Sequence, residues 1–175
     1  MFSPLYKKSE HPFTNIAYTM LGVFYVSIPF SLFCASGFVN GTYSYHIPLG
    51  FLLIIWSSDS GAYVIGSLIG RTKLFERISP KKTWEGTIGG GLLSLTLAYV
   101  LSNYFIELSR FDWMMISIII VITGNLGDLA ESMFKRSINV KDSGTILPGH
   151  GGILDRFDAV FISAPFVFTY IMLRA

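Results

Sequence analysis

The chain has 175 residues, the length of one ordinary domain, yet 51% of them are hydrophobic and only 14% are charged. A soluble domain carries about 25% charged residues to cover its exterior, so this shortfall, with a mean hydropathy of +0.55, points to an exterior that faces hydrocarbon and excludes disorder. The single cysteine, Cys34, excludes an intrachain disulfide scaffold, and a formal charge of +2 is too small for a nucleic-acid partner held by bulk electrostatics.

A bilayer core about 30 Å thick needs roughly 20 mostly apolar residues in a helix. Five stretches approach that length: 13–34, 47–69, 86–106, 113–134 and 157–173. The first contains Pro29 and the last Pro165, which kink a span without ending it when neighbouring helices satisfy the freed carbonyls. The opening twelve residues are polar and lack the apolar run of a cleavable signal peptide. Cytoplasmic loops carry an excess of Lys and Arg. Five crossings put Lys7, Lys8, Arg71, Lys73, Arg77, Lys81, Lys82, Lys135, Arg136, Lys141 and Arg156 on one side, leaving Arg110 and Arg174 on the other. The N-terminus is therefore expected in the cytoplasm and the C-terminus outside. No repeat or linker divides the chain, so residues 1–175 read as one membrane-embedded domain. The predicted fold is an all-α, polytopic membrane helix bundle of about five transmembrane helices in the cell inner membrane, with a polar cavity open to the cytoplasm.

Charged residues inside spans are expensive and mark functional sites. Asp59 lies midway along the second span in W-S-S-D-S-G-A-Y, with Tyr63, Gly66 and Gly70 continuing its side. Either it caps a helix broken near Gly61, or it lines a polar cavity that reaches into the membrane. The fourth span ends in G-N-L-G-D-L-A-E-S-M-F-K-R, where Asp128, Glu131, Ser132 and Lys135 fall on one helical face. Such a stripe can bind a metal or a phosphate; Glu131 and Lys135 can also simply pair at i,i+4. Asp128 has no basic residue at i+3 or i+4.

The next segment holds P-G-H-G-G, which cannot be regular helix. The backbone N–H groups of Gly151 and Gly152 could approach oxygen ligands closely there, with His150 either orienting the loop or meeting phosphate. Asp155 and Asp158 share a face at the start of the last span beside Arg156. One acid suffices for a cap, whereas Mg²⁺ wants one or two carboxylates plus phosphate oxygens. In the second cytoplasmic loop, Lys81 and Lys82 follow Ser79-Pro80 and suit a triphosphate or an anionic lipid headgroup. No G-x-x-x-x-G-K-[ST] occurs, which argues against a P-loop ATPase.

The run from Ser132 to Asp158 resembles the signature of the phosphatidate cytidylyltransferases, also called CDP-diacylglycerol synthases. Ser132, Lys135, Arg136, Lys141, Asp142, His150, Gly151, Gly152, Asp155, Arg156 and Asp158 fill its fixed positions. D-S-G-A-Y, G-R-T-K-L, I-S-P-K-K-T-W-E-G and G-D-L-x-E-S upstream look like the family as well. The resemblance implies a multi-pass nucleotidyltransferase of phospholipid biosynthesis that joins CTP to phosphatidic acid with Mg²⁺, giving CDP-diacylglycerol and pyrophosphate. It implies a metal centre at Asp128 and Asp155, with Asp158 and Glu131 close by. Lys135, Arg136, Lys141 and Arg156 would clamp phosphates and Lys81 and Lys82 recruit substrate. Members of that family are usually about a hundred residues longer, with additional N-terminal spans, so the chain is expected to be the catalytic C-terminal part. Gly89, Gly90 and Gly91 offer a close-packing surface for a homodimer.

Two other readings fit parts of the sequence. A CDP-alcohol phosphatidyltransferase needs D-G-x-x-A-R followed by G-x-x-x-D-x-x-x-D, but the final acids here are spaced D-x-x-D. An ion or proton transporter using Asp59, Asp128 and Glu131 would spread polar groups through the full membrane depth, whereas here most gather at one end of the spans.

Overall fold

A computed structural model of the chain describes residues 12–39, 41–75, 79–137, 152 and 154–174. The elements are α1 (Pro12–Ala35), β1 (Phe38–Val39), β2 (Thr42–Tyr43), α2 (His46–Ile69), β3 (Lys73–Phe75), β4 (Ser79–Thr83), α3 (Trp84–Leu101), α4 (Arg110–Ser137) and α5 (Leu154–Arg174). Helices α1, α2, α4 and α5 are each long and apolar enough to cross a membrane, which makes the protein a multi-pass, all-α membrane bundle. Two short antiparallel hairpins, β1–β2 and β3–β4, fill loops that carried no strand expectation. Gly41 in the first takes φ 78°, a left-handed conformation that favours glycine.

Local chemistry sets the helix ends. Thr83 is the N-cap of α3, its Oγ1 accepting from Gly86 N at 3.2 Å. Helix α4 has Asp112 in its first turn and Lys135 and Arg136 in its last, and α5 has Asp155 in its first turn and Arg174 in its last, both matching the helix dipole. Pro29 and Pro165 lie inside α1 and α5 without ending either. Helix α3 stops at Leu101, short of the expected 106, because Phe105 is taken up by tertiary contacts. Its ring stacks on His46 at 4.4 Å and its carbonyl accepts from Trp113 Nε1 at 3.0 Å.

Within a bilayer the hydrophobic effect does not drive helices together, so small and polar residues do. Gly86 and Gly90 of α3 lie against α2: a Cβ on Gly86 would come 2.7 Å from Ala62 O, and one on Gly90 would strike Ser58 O. Gly89 packs on Ile65. The surface expected to serve a homodimer is therefore consumed inside the chain, since the glycines are what let α2 and α3 touch. Ser94 and Ser117 hydrogen-bond between α3 and α4 at 3.2 Å, and Thr123 and Ser163 between α4 and α5 at 2.8 Å. Buried Phe51, Ile54, Trp113, Ile116, Ile120, Val160 and Val167 complete the core between α2, α4 and α5. Helix α1 lies on α5 through Tyr25 and Phe30 against Phe161 and on α2 through Phe33 against Phe51, while Phe13, Leu21, Val23 and Phe24 face outward.

The two ends of the bundle differ. At one end Ser44 and His46 bind Glu107, and Tyr170 and Arg174 bind Asp112. The other end brings together the β3–β4 hairpin, the last turns of α4 and the first turn of α5.

Candidate functional site

A cavity of about 330 Å³ opens at that second end. Helix α2 contributes Ser58, Asp59, Ala62 and Tyr63 to its wall, β4 contributes Lys81, Lys82 and Thr83, and α3 contributes Thr87. The remaining wall is Gly124, Asn125 and Asp128 of α4 with Asp155, Asp158 and Ala159 of α5. Asp59 stands ten residues before the end of α2, about 15 Å along the axis at 1.5 Å per residue, so the polar wall reaches deep into the bundle. Beneath it a narrow extension of about 10 Å³ ends on Ile55, Ile120 and Val121, room for roughly one water. Helix α2 runs unbroken through Gly61, so Asp59 is a cavity residue and not the cap of a broken helix.

Asp128, which has no helical partner, finds Lys82 across the fold: the two form an ion pair, and Lys82 Nζ is 3.4 Å from Asn125 Oδ1. Asp155 accepts from Lys135 Nζ at 2.7 Å and from Gly152 N at 2.9 Å. Lys135 is only 3.6 Å from Glu131 Oε1, so its closer partner is on α5 and not at i−4 of its own helix. Gly127 makes this possible: a Cβ there would lie 2.8 Å from Asp158 O, and its absence lets α5 close on α4 beside Asp128. Glu131 is 3% exposed, and neither carboxylate oxygen accepts a hydrogen bond from a described residue.

The residue Thr83 ties the hairpin to the helices. Beside it, Glu85 accepts from the backbone of Arg71 at 3.2 Å and of Thr72 at 3.1 Å. Its own backbone amide, then Thr72 and Arg71, hold its carboxyl below the ordinary range.

The description "cytidylyltransferase family" belongs to the family model that matches residues 1–174. The chain belongs to the cytidylyltransferase family. It is 44% identical over 160 residues to a phosphatidate cytidylyltransferase of Staphylococcus haemolyticus, 43% to one of Staphylococcus epidermidis and 41% to one of Staphylococcus aureus. Each alignment takes in 90% of this chain and 60% of the relative. The chain thus spans about 60% of the length of the curated relatives it matches.

In this cytidylyltransferase-family chain the structure gathers Asp59, Lys81, Lys82, Asp128, Asp155 and Asp158 on one cavity. Lys135 reaches the same place through Asp155, and Gly152 is buried beside it. Ser132 Oγ sits 3.5 Å from Asp128 Oδ1, and Glu131 lies behind the wall. Arg136 and Arg156 are exposed and do not line the cavity. Lys141, His150 and Gly151 lie outside the described residues. Sequence reasoning did not single out Thr83, Thr87 or Asn125 as site residues. The i+4 spacing of the threonines and the i−3 placement of Asn125 before Asp128 are the signals that could have found them.

Four carboxyl groups and two ammonium groups line the cavity, so by itself it repels a polyphosphate and accepts one together with a cation. No three carboxylate, imidazole or thiol groups among the described residues are placed to hold one metal ion together. The expected set of Asp128, Asp155, Asp158 and Glu131 therefore does not form an all-protein cage. Mg²⁺ is typically bound by one or two carboxylates and completed by phosphate oxygens and water. The hard oxygen donors present fit that mode.

Proposed function

We propose that this protein transfers the cytidylyl group of CTP to phosphatidic acid, giving CDP-diacylglycerol and pyrophosphate in phospholipid biosynthesis. The observation that carries the reading is the convergence of Lys82, Asp128 and Asp155, from three separate segments, on one cavity sunk into a membrane bundle. Its relatives named phosphatidate cytidylyltransferase support it.

A phosphate oxygen of phosphatidic acid attacks the α-phosphorus of CTP, a new P–O bond forms, and the α–β bridge breaks with its electron pair leaving on pyrophosphate. The nucleophile is already ionised at neutral pH, so no strong base is needed. The barrier lies in bringing two polyanions together, which charge neutralisation and positioning lower. Lys82, Lys135 and Lys141 clamp phosphates in this reading, Arg136 and Arg156 adding positive charge from outside the cavity wall, with Lys81 recruiting substrate and Ser132, His150, Gly151 and Gly152 orienting oxygens. Asp128 and Asp155 would hold Mg²⁺, Asp158 and Glu131 supporting them, and the ion supplies further neutralisation of phosphate charge when bound. Asp128 also orients Lys82, and Asp155 orients Lys135. The domain sits in the cell inner membrane with the cavity facing the cytoplasm and open sideways, so that acyl chains stay in lipid.

The test is transfer of label from CTP into the lipid phase by the purified chain with Mg²⁺ and phosphatidic acid. Asp128→Asn is expected to lower turnover about a hundredfold or more with membrane insertion unchanged. Near-normal turnover would remove Asp128 from the site.

A further inference from the structure

We infer that Asp59 and Tyr63 form the nucleobase-reading part of the cavity, and that Asp59 selects cytosine over uracil through the exocyclic amine. The inference rests on the proposed function and adds the part of CTP that the phosphate-binding residues leave unassigned.

The charged groups of the cavity differ in what already holds them. Lys82 with Asp128, and Lys135 with Asp155, stand where the hairpin, α4 and α5 meet, and are already committed to one another in pairs suited to phosphate and metal. Asp59 faces the same cavity from α2, near enough to Lys82 and Asp128 to feel their charges, but accepts no hydrogen bond from any described residue. A carboxylate in a pocket with unused acceptor capacity seeks an N–H donor. Below it the wall turns apolar at Ile55, Ile120 and Val121, so Asp59 is among the last polar groups a ligand entering the cavity would meet.

One helical turn on, Tyr63 shares the face of Asp59 and also lines the cavity. Tyr63 is 78% exposed, and its ring stacks on no other aromatic ring among the described residues. A bare aromatic face beside a bare acceptor has the two elements by which proteins hold an unpaired base, stacking on the ring and hydrogen bonding at the base edge. A carboxylate accepts from the N4 amine of cytosine, whereas uracil presents the O4 oxygen there, and two acceptors repel. About 330 Å³ accommodates a nucleoside with its phosphates directed toward the lysines.

The experiment is equilibrium dialysis of labelled CTP and UTP against the purified full chain with Mg²⁺, without lipid, alongside turnover of both nucleotides with phosphatidic acid. Asp59→Asn is the informative variant, because a side-chain amide can turn to offer either a donor or an acceptor. It is expected to cut the CTP-to-UTP preference roughly tenfold or more, in line with the discrimination of one good base-edge contact, with UTP affinity retained or improved. Tyr63→Ala is expected to weaken both nucleotides alike, and Tyr63→Phe to bind as the parent does. An unchanged preference in Asp59→Asn, or equal binding of CTP and UTP by the parent, overturns the inference and leaves the proposed function standing. A parent chain that binds neither nucleotide overturns both.

Discussion

Glu107 shows how a single polar residue is placed by neighbours far away in sequence. It sits in the turn between α3 and α4, accepting from Ser44 Oγ at 2.6 Å and pairing with His46. Burial pulls its carboxyl upward, but hydrogen bonds from Ser44 and His46 and the charge of His46 outweigh this and hold it below the ordinary range. A depressed carboxyl contributes stability that is full above the unfolded-state value and lost as pH falls through the folded one. Glu107→Gln is therefore expected to lower the thermal midpoint at pH 7 by the equivalent of about 1 kcal/mol. That gap should close as the pH drops below roughly 4.3, the ordinary glutamate value. Parallel melting curves of parent and variant from pH 7 to about pH 3 check this; a gap that widens toward acid contradicts it. Neither Ser44 nor His46 is recognisable as a partner of Glu107 from sequence, because some sixty residues separate them. The same holds for Asp128, whose missing helical partner was readable but whose actual partner, Lys82, was not.

At the level of elements, the spacing between α2 and α3 controls the cavity. Ser58, Asp59 and Ala62 face it from α2 and Thr87 from α3, and the two helices touch at Gly86 and Gly90. Gly90→Val would wedge them apart, since the backbone carbonyl of Ser58 and the backbone of Ala62 cannot yield as a flexible side chain would. The expected cost is about 1–3 kcal/mol, read as a lower unfolding midpoint in detergent, together with weaker CTP binding. A variant that unfolds like the parent would show that the contact does not hold the wall. The length of the apolar stretches made the helices themselves legible. The glycine cluster was legible as a close-packing surface too, but its destination was another helix of the same chain.

At the scale of the whole molecule, the bundle has two chemically distinct ends, and their sidedness can be measured. The only cysteine, Cys34, is exposed one residue before the end of α1, beside the hairpin at the end opposite the cavity. With the cavity facing the cytoplasm, a membrane-impermeant maleimide should label Cys34 in intact cells. Labelling only after lysis would invert the orientation.

Composition and hydropathic length by themselves determined that the protein is a helical membrane bundle, because hydrocarbon tolerates only backbone that satisfies its own hydrogen bonds. Charge within apolar stretches likewise marked Asp59 and Asp128 as candidates, since a charged group there is costly. Only the tertiary structure decided which lysine faces which carboxylate, that Lys135 turns to Asp155 more closely than to Glu131, and that Thr87 and Asn125 join the cavity wall. Those outcomes depend on how closely helices approach at Gly86, Gly90 and Gly127, and that distance is set by the backbone each glycine meets on the opposing helix rather than by any local pattern.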